Sequence, residues 1–392
     1  MFANLLQVDQ VGNPQLLRRI NRTRVLDALG DGRQWSRAEL ATEVGLAKPT
    51  VGMIIDDLVT DRLVRELGFG RAASRGGRRP VMIEIDPDAA AHVGIHFGVH
   101  TTRVAVTDAV GRLRATVVAA SPLRSPKRSV TTATRLVASA LEQACIPPER
   151  MRAIGAAVPG AVDSSTGVCT VAPNLGWRDV PIEAMLVDVF HVPAVARNIA
   201  HAAAAAEHAV GVAQSVDNLV WLYVGTGIGA GIINGGRLLT GSAGLSGEIG
   251  HCRVSANGPM CSCGRRGCLE SLASGRALAI AAGTSDGADA FAEAAAGNRR
   301  AGRAVHDIAG WLAVGVATLV NVVDPALVVI GGGLAGAGEA LLAPLREAAS
   351  GTALREVPIV ASALGDEAEV TGAVLLARRR STETYRVERI GA

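Results

Sequence analysis

The hydrophobic positions near the start of the chain recur at helical spacing and predict three short helices before residue 60. The first of these helices ends at Gly30. Ser36, followed three residues later by Glu39, has the spacing of a capping box, which marks the start of the second helix. Gly45 supplies the next turn. The third helix covers residues 48–58 and has a proline in its first turn, where proline is tolerated.

The second and third helices have the spacing of a helix-turn-helix. Ala41 is the small residue, Gly45 the left-handed turn and Val51 the buried apolar contact, and a plain helical hairpin is the alternative. Two strands are predicted at 63–66 and 81–85, and a loop rich in Gly and Arg joins them. These strands form a wing, so the pattern predicts a winged helix-turn-helix domain.

From residue 90 onward, short apolar strands alternate with amphipathic helices, which is typical of an α/β fold. Glycine-rich turns follow several strands and favour a cleft for a nucleotide or a sugar. No strong internal repeat is visible, although two similar halves that each open with a strand, a turn and a strand fit the pattern. The predicted strands are 93–97, 104–106, 154–158, 219–224 and 327–330, and the clearest helices are 130–145, 198–210 and 302–322.

Composition and charge restrict the classes of partner. With 392 residues, 49% of them hydrophobic, the chain is long enough for two or three globular domains. Its net charge is only +3, so any nucleic-acid surface has to be local. The predicted wing is such a place, because its arginines can follow DNA phosphates or enter a narrow minor groove; a solvated linker is the alternative. Residues 62–80 hold Arg62, Arg65, Arg71, Arg75, Arg78 and Arg79 against the single acid Glu66.

The sequence indicates a cytoplasmic protein with no membrane partner. No apolar run reaches the ~20 residues that a membrane span needs, and the N-terminus lacks the pattern of a signal peptide. Six cysteines in so long a chain are too few for a disulfide scaffold. Four of them crowd together between residues 252 and 268, which suggests a metal site.

One imidazole and three thiols in this region form the soft ligand set that tetrahedral zinc favours. Four protein ligands leave no open position, so we expect Zn²⁺ to be structural. The alternatives are a redox thiol pair or free buried cysteines, and Cys252 is expected to be a bystander. The candidate ligands are His251, Cys261, Cys263 and Cys268.

Residues 247–251 (GEIGH) and 261–270 (CSCGRRGCLE) closely resemble the signature of the ROK family, whose name abbreviates repressor, open reading frame, kinase. The resemblance covers nearly the whole chain. The N-terminal domain, with its 76–80 segment (GGRRP), resembles the repressor branch, which includes regulators of xylose and N-acetylglucosamine operons. The kinases of the family lack that domain.

The resemblance implies an actin-like, ribonuclease H-like sugar-kinase fold, in which two α/β lobes enclose a cleft. We therefore expect a winged helix-turn-helix domain at 1–85, a first lobe at 90–200 and a second lobe at 201–392. The second lobe carries the zinc site, and the C-terminal helix is expected to return to the first lobe.

The resemblance also implies a set of sugar-binding residues. Asn174 lies in a Pro-Asn-Leu sugar loop, and Asn198 matches the Asn of the family's Glu-Asn-Asp stretch. Glu248, His251 and Glu270 match the remaining sugar contacts. A ring of hydroxyls requires acceptors and amides held on rigid elements, and these residue types supply them. For Asn174, Glu248 and Glu270, helix capping or surface solvation is the alternative.

Two departures from the kinase pattern argue against phosphoryl transfer. In family kinases the general base is the Asp of Glu-Asn-Asp, and Ile199 stands at that place, where it accepts no proton. His96 stands where the first phosphate loop has an Asp that helps to position magnesium. A second glycine loop could still cradle phosphate, and a tight structural turn is an equal alternative. Its candidate residues are Gly225, Thr226, Gly227 and Gly229.

The sequence therefore predicts a sugar-responsive DNA-binding transcriptional regulator, a repressor, with a catalytically inactive kinase-like domain. We expect a homodimer or homotetramer on a palindromic double-stranded operator and a small sugar as effector. An ATP-dependent sugar kinase with a DNA-binding head, and a regulator that answers to a protein partner, are the alternatives. The candidate DNA contacts are Ser36, Lys48, Pro49, Thr50, Arg71, Arg75, Arg78 and Arg79.

Overall fold

The computed structural model describes residues 14–30, 32–70, 79–122 and 124–391. Its N-terminal unit contains α1 (Pro14–Leu29), β1 (Trp35–Ser36), α2 (Arg37–Val44), α3 (Lys48–Thr60), β2 (Val64–Phe69) and β3 (Val81–Ile85). The strands form a three-stranded sheet in the order β1-β3-β2, and the helices pack on it around fully buried Leu40, Ile55 and Ile83. This is the predicted winged helix-turn-helix.

The local signals in this unit act as predicted. The Ser36 hydroxyl accepts a hydrogen bond from the Glu39 backbone N–H (3.2 Å), and the Glu39 carboxylate accepts one from the Ser36 N–H (2.9 Å), so the capping box is confirmed. Gly45 ends α2 in the left-handed region, at φ 64°. A side chain is strained at that φ, which explains the glycine.

The second unit is built on a five-stranded sheet with the order β6-β5-β4-β7-β11, and a small three-stranded sheet, β10-β9-β8, lies beside it. Its strands are β4 (Ala91–Phe97), β5 (Thr101–Asp108), β6 (Leu113–Ala120), β7 (Met151–Val158), β8 (Ala161–Val162), β9 (Cys169–Ala172), β10 (Trp177–Val180) and β11 (Ala194–Asn198). Its helices are α4 (Pro126–Gln143) and α5 (Ile182–Phe190).

The third unit is built on a five-stranded sheet with the order β14-β13-β12-β15-β16. Its strands are β12 (Leu219–Val224), β13 (Ile228–Asn234), β14 (Arg237–Leu238), β15 (Leu327–Gly331) and β16 (Ile359–Ala361). Its helices are α6 (Ile199–Val210), α7 (Leu269–Ala273), α8 (Gly275–Ala282), α9 (Gly287–Ala295), α10 (Arg299–Val323) and α11 (Glu339–Ala349); the last helix of the chain is α12 (Ala368–Gly391).

The two large sheets have the same topology. In each, the first three strands pair antiparallel, and the fourth and fifth strands run parallel to the first. The similarity of the two halves that the strand pattern suggested is therefore present in the fold. Two lobes of this topology around a cleft form the actin-like fold.

The helices α6 and α12 cross between the two sheets. α12 packs on β4 and β7, and α6 packs on β13 and against α12, so the C-terminal helix lies on the first lobe. Small residues allow the close approach: a β-carbon at Gly155 would overlap the carbonyl oxygen of Ala373, and one at Gly372 would overlap that of Ala202. This crossing joins the lobes.

A short connection, held by a hydrogen bond and an ion pair, joins the N-terminal unit to the first lobe. Only a 3₁₀ turn, Pro87–Ala89, separates β3 from β4. The Pro87 carbonyl accepts a hydrogen bond from the Ala109 N–H (3.0 Å), and Arg114 pairs with Asp88 (3.0 Å). A rotation of the first lobe will therefore move the head with it.

Among the described residues, α10 is the one helix whose length and composition would allow it to span a membrane. Of its most apolar stretch, 56% is buried inside the protein. It packs against α8, α9 and α11, as the core helix of a lobe does.

We expect Gly372→Ala to destabilise the protein, because the added methyl group meets the backbone of α6. Overpacking of this kind lowers the free energy of unfolding by about 1–3 kcal/mol. Gly302→Ala is the matched control, since Gly302 is also helical, is exposed and has open space around it; it should raise the free energy by up to about 1 kcal/mol. Urea unfolding followed by tryptophan fluorescence measures both, and equal effects would contradict the close crossing.

Candidate ligand cavity and metal centre

A cavity of about 870 Å³ opens between the two lobes. All of the sequence-predicted sugar residues line it, although they come from separate segments of the chain. They are Asn174, Asn198, Glu248, His251 and Glu270. The fold thus brings together side chains that are up to 96 residues apart (270 − 174 = 96).

Asn198 lies where β11 ends and α6 begins, and its amide serves both the helix and the cavity. The side-chain oxygen caps α6 by accepting from the Ala200 N–H (2.7 Å), and the nitrogen donates to the Gly160 carbonyl (3.0 Å). The same nitrogen lies 3.5 Å from Glu248 Oε1. These contacts fix the amide at the cavity wall, so it is presented to a ligand in one orientation.

Glu248 lies in the loop that precedes the clustered cysteines at 261–268, and it faces His251. Its Oε2 is 3.9 Å from His251 Nε2, and burial raises the pKa of Glu248 above its usual range. The buried imidazole of His201, on α6, bonds through Nε2 to the Ser246 carbonyl (2.8 Å) and holds this loop in place. His201 is therefore a positioning residue behind the cavity.

Glu270, at the start of α7, connects three parts of the site. Its Oε2 accepts from the Ile228 N–H (3.2 Å) of the glycine loop, and its Oε1 accepts from the Ser262 hydroxyl (2.9 Å) of the cysteine loop. Asn174 faces this region from the first lobe, and its exposed side chain has no hydrogen bond to the described residues. Asn174 and Glu270 can therefore bind one ligand from opposite lobes.

The four predicted metal ligands form one cluster, in which all four donor atoms lie within 4.8 Å of one another. His251 Nδ1 is 3.6 Å from Cys261 Sγ, and Cys263 Sγ is 3.7 Å from Cys268 Sγ. In a tetrahedral zinc site with metal–ligand bonds of the usual lengths, neighbouring nitrogen and sulfur ligand atoms lie roughly 3.5–3.8 Å apart. The cluster therefore fits a tetrahedral metal ion, and His251 turns its other nitrogen, Nε2, to Glu248 and the cavity.

The acidity of the thiols also suits a metal. Burial raises the pKa of Cys268 to about 12. Burial also opposes ionisation of Cys263, but hydrogen bonds from Arg265 and the neighbouring thiols lower its pKa to about 6. A bound cation offsets the cost of ionising the buried thiols of this set, which a metal site requires.

Ile199 and His96, the two residues at which the chain departs from the kinase pattern, lie in different parts of the first lobe and its border. Ile199 is buried, follows Asn198 directly and forms part of the cavity wall. His96 lies near the end of β4, opposite Arg103 on β5, and does not line the cavity. Burial and the Arg103 charge lower the pKa of His96 to about 4, so its imidazole is neutral at pH 7.

The second glycine loop is a tight turn between the antiparallel strands β12 and β13. The Gly225 N–H donates to the Gly227 carbonyl (3.0 Å), and the Ile228 N–H donates to Glu270. Two backbone donors of the loop are thus already used inside the protein. Of the candidate residues, Thr226, Gly227 and Gly229 line the cavity and Gly225 does not.

The predicted DNA contacts separate into three groups. Lys48 and Pro49 are exposed at the start of α3, and Thr50 is partly exposed beside them. Ser36 is buried and its hydroxyl caps α2, which corrects the expectation of a DNA contact there. Arg79 is exposed. The remaining wing arginines, Arg71, Arg75 and Arg78, lie outside the described residues.

Sequence reasoning missed two kinds of site residue. Met53, on α3, is 58% exposed, and the helical spacing from Pro49 would have placed it on the same face. Tyr223, Arg178 and Arg265 line the cavity. No motif distinguishes Arg178 or Tyr223, because their positions depend on how β10 and β12 approach each other across the cleft.

The fold and the site define a class: a two-lobed sugar-kinase fold with a winged helix-turn-helix in front of it. The chain belongs to the ROK family, whose sequence profile matches residues 92–380. A xylose repressor of Caldicellulosiruptor bescii is 32% identical over 389 residues, which cover 93% of this chain and 97% of that protein.

Two solved structures show the same fold. A ROK family glucokinase from Streptomyces griseus, in complex with glucose and AMPPNP, is 30% identical with a TM-score of 0.68, and it covers 74% of this chain and 100% of its own. A ROK family transcriptional regulator, a homologue of the E. coli MLC protein, is 23% identical with a TM-score of 0.77, and it covers 95% of this chain and 99% of its own. The second likeness extends over the head as well as the lobes.

We expect Cys263→Ser to lose bound metal, because a hydroxyl is a much poorer ligand than a thiolate. Cys252→Ser is the matched control, since Cys252 is exposed and outside the ligand set. Metal content after dialysis, measured by mass spectrometry, should be about one ion per chain in the wild type and the control, as four ligands hold one ion. Equal metal content in both variants would contradict the assignment.

Proposed function

We propose that this protein is a sugar-responsive transcriptional repressor, in which a kinase-like domain binds a sugar without phosphorylating it. One observation carries the proposal: the five predicted sugar-binding side chains all line one cavity in a chain that also has a winged helix-turn-helix head. The relatives named xylose repressors support it, because their similarity covers the head and both lobes. The domain limits of 1–85, 90–200 and 201–392 belong to the same proposal.

The head binds an operator through α3 and the wing. Lys48, Pro49 and Thr50 lie at the start of α3, where residues of a recognition helix reach base edges and phosphates. Arg79 lies on the wing, and we include Arg71, Arg75 and Arg78 in the same basic loop. A homodimer or homotetramer places two heads on successive major grooves of a palindromic operator. Such a protein acts in the cytoplasm.

Zn²⁺ is the metal that the ligand set favours, and its role is structural. It holds the loop that carries His251 and Ser262, and through Ser262 it helps to fix Glu270. The metal thus shapes the sugar site without taking part in chemistry.

Sugar binding reaches the head through the lobes. Asn174 belongs to the first lobe and Glu248 and Glu270 to the second, so a sugar held by all three draws the lobes together. Because a 3₁₀ turn and the Arg114–Asp88 pair attach the head to the first lobe, closure changes the placement of the heads on DNA. Such a switch requires that the closed state binds the sugar better than the open state.

The second candidate is a sugar kinase with an attached head. The similarity to the S. griseus glucokinase and the retained glycine loop favour it. Against it, Ile199 supplies no base at the cavity wall, and His96 supplies no carboxylate for magnesium. A coupled ADP-release assay over a panel of hexoses and pentoses decides: ADP formed in proportion to added sugar would establish the kinase.

We expect a neutral monosaccharide to change the affinity of the protein for duplex DNA from its own upstream region. The names of the relatives make D-xylose the first sugar to test. Fluorescence anisotropy should show a shift in Kd of about 5–150-fold, the usual range of allosteric coupling. Glu248→Gln should bind DNA normally and lose the shift. If no sugar in a panel of hexoses, pentoses, amino sugars and their phosphates shifts the curve, the sugar-responsive part of the proposal is wrong, and the cleft has either lost its ligand or binds a protein partner.

We expect Lys48→Ala to weaken DNA binding and to reduce the slope of log K against log salt by about one, because one phosphate contact is lost. The chain has only one other lysine, Lys127, which is exposed on α4 of the first lobe. Lys127→Ala is therefore a control with the same change of charge. Equal DNA binding by the two variants would contradict the prediction that the start of α3 contacts DNA.

A further inference from the structure

The side chain of Tyr223 lies at the cavity wall, next to the glycine loop at 225–229 and to another glycine-rich turn, residues 331–333, that follows β15. Tyr223 is on β12, and its ring packs beside Ile199 in the small apolar cluster between the lobes. A β-carbon at Gly225 would be 2.6 Å from the Tyr223 hydroxyl, and one at Gly332 would be 2.8 Å from its ring. The ring therefore touches both loops and the cavity wall at once.

The strands next to Tyr223 leave room for this position. Its cross-strand neighbours are Gly229 on β13 and Gly331 on β15, so no side chain beside it competes for the space. Burial raises the pKa of the phenol to about 12. The ring is thus a neutral, fixed group over the glycine loop.

The charges around the ring are unfavourable for phosphate. Asp366 and Glu270 place negative charge near the Tyr223 hydroxyl, and the buried carboxyl of Glu369, at the start of α12, is only partly charged at neutral pH because burial raises its pKa to about 7. The nearby Arg103 is paired with Glu367, and the imidazole of His96 is neutral. A triphosphate needs cations and open backbone donors, and the one arginine named at this end is already paired with a carboxylate.

We propose that Tyr223 closes the phosphate end of the cavity, so that the protein accepts a sugar and excludes a nucleoside triphosphate. Of the two alternatives that the sequence left for the glycine loop, this selects the structural turn. The inference rests on the proposed function only in that a sugar occupies the other end. It assigns the exclusion of nucleotide to a residue outside the family's signature.

The test compares nucleotide binding by three proteins. Mg·ADP is titrated into the full-length wild type, Tyr223→Ser and Tyr223→Phe by calorimetry. The wild type and Tyr223→Phe, which keeps the ring, should give no binding at millimolar nucleotide, whereas Tyr223→Ser should bind at least about tenfold more tightly, a difference of ~1.4 kcal/mol. Retention of sugar binding and of the thermal midpoint shows that Tyr223→Ser is folded.

Two results would overturn the proposal. One is nucleotide binding by the wild type as tight as that by Tyr223→Ser. The other is a folded Tyr223→Ser that still binds no Mg·ADP, because the ring would then not be the barrier. If Tyr223→Ser does not fold, the milder change Tyr223→Leu, which shortens the side chain and keeps it apolar, takes its place: a gain of Mg·ADP binding by Tyr223→Leu over the wild type supports the proposal, and no gain overturns it. None of these titrations contains DNA, so a failure of the regulator proposal is seen separately.

Discussion

The crossing of α6 and α12 between the two sheets is the constraint on which the rest of the molecule depends. Fully buried Glu207, near the end of α6, holds this crossing together. Its carboxylate accepts from the Val212 N–H (2.7 Å), the Leu364 N–H (3.1 Å) and the Ser362 hydroxyl. The bonds tie α6 to the segment that leads into α12, so the two helices move as one unit. Because the opposite end of α6 begins at Asn198, the same unit sets the position of the cavity wall.

This arrangement explains how a kinase-like cleft can serve as a sensor. A kinase requires a base at the sugar, a path for the phosphoryl group and charge to stabilise it. In the proposed regulator, Ile199 stands at the cavity wall in place of the base, and the ring of Tyr223 closes the path of the phosphoryl group. The sugar side keeps its amides and carboxylates. Binding energy that a kinase would use for the transition state is then available to change the relative positions of the lobes.

The sequence predicted the elements whose signals are local. The capping box at Ser36, the turn at Gly45, and strands such as Leu219–Val224 follow from residue types within a few positions. The cysteine cluster was predictable for the same reason, because its spacing and ligand chemistry are visible along the chain. The five sugar residues required the family resemblance, since their distances in sequence carry no information about contact.

Other features depend on tertiary packing and had no local signal. Tyr223 is an ordinary strand residue until Gly225, Gly332 and Ile199 surround it. Ser36 satisfied two hypotheses in the sequence, a helix cap and a DNA contact, and only its burial decides for the cap. The strands β8 to β10 were not predicted because each has no more than four residues, too short for a clear alternation.

The central claim is that the sugar cavity and the DNA-binding head are coupled. Thermodynamic linkage makes this coupling reciprocal, so DNA must change the affinity for sugar by the same factor as sugar changes the affinity for DNA. The most direct measurement is a calorimetric titration of D-xylose into the metal-loaded protein, alone and saturated with operator DNA. For a repressor released by its sugar, the account predicts weaker sugar binding in the presence of the operator. Tight sugar binding with the same Kd in both titrations would contradict it.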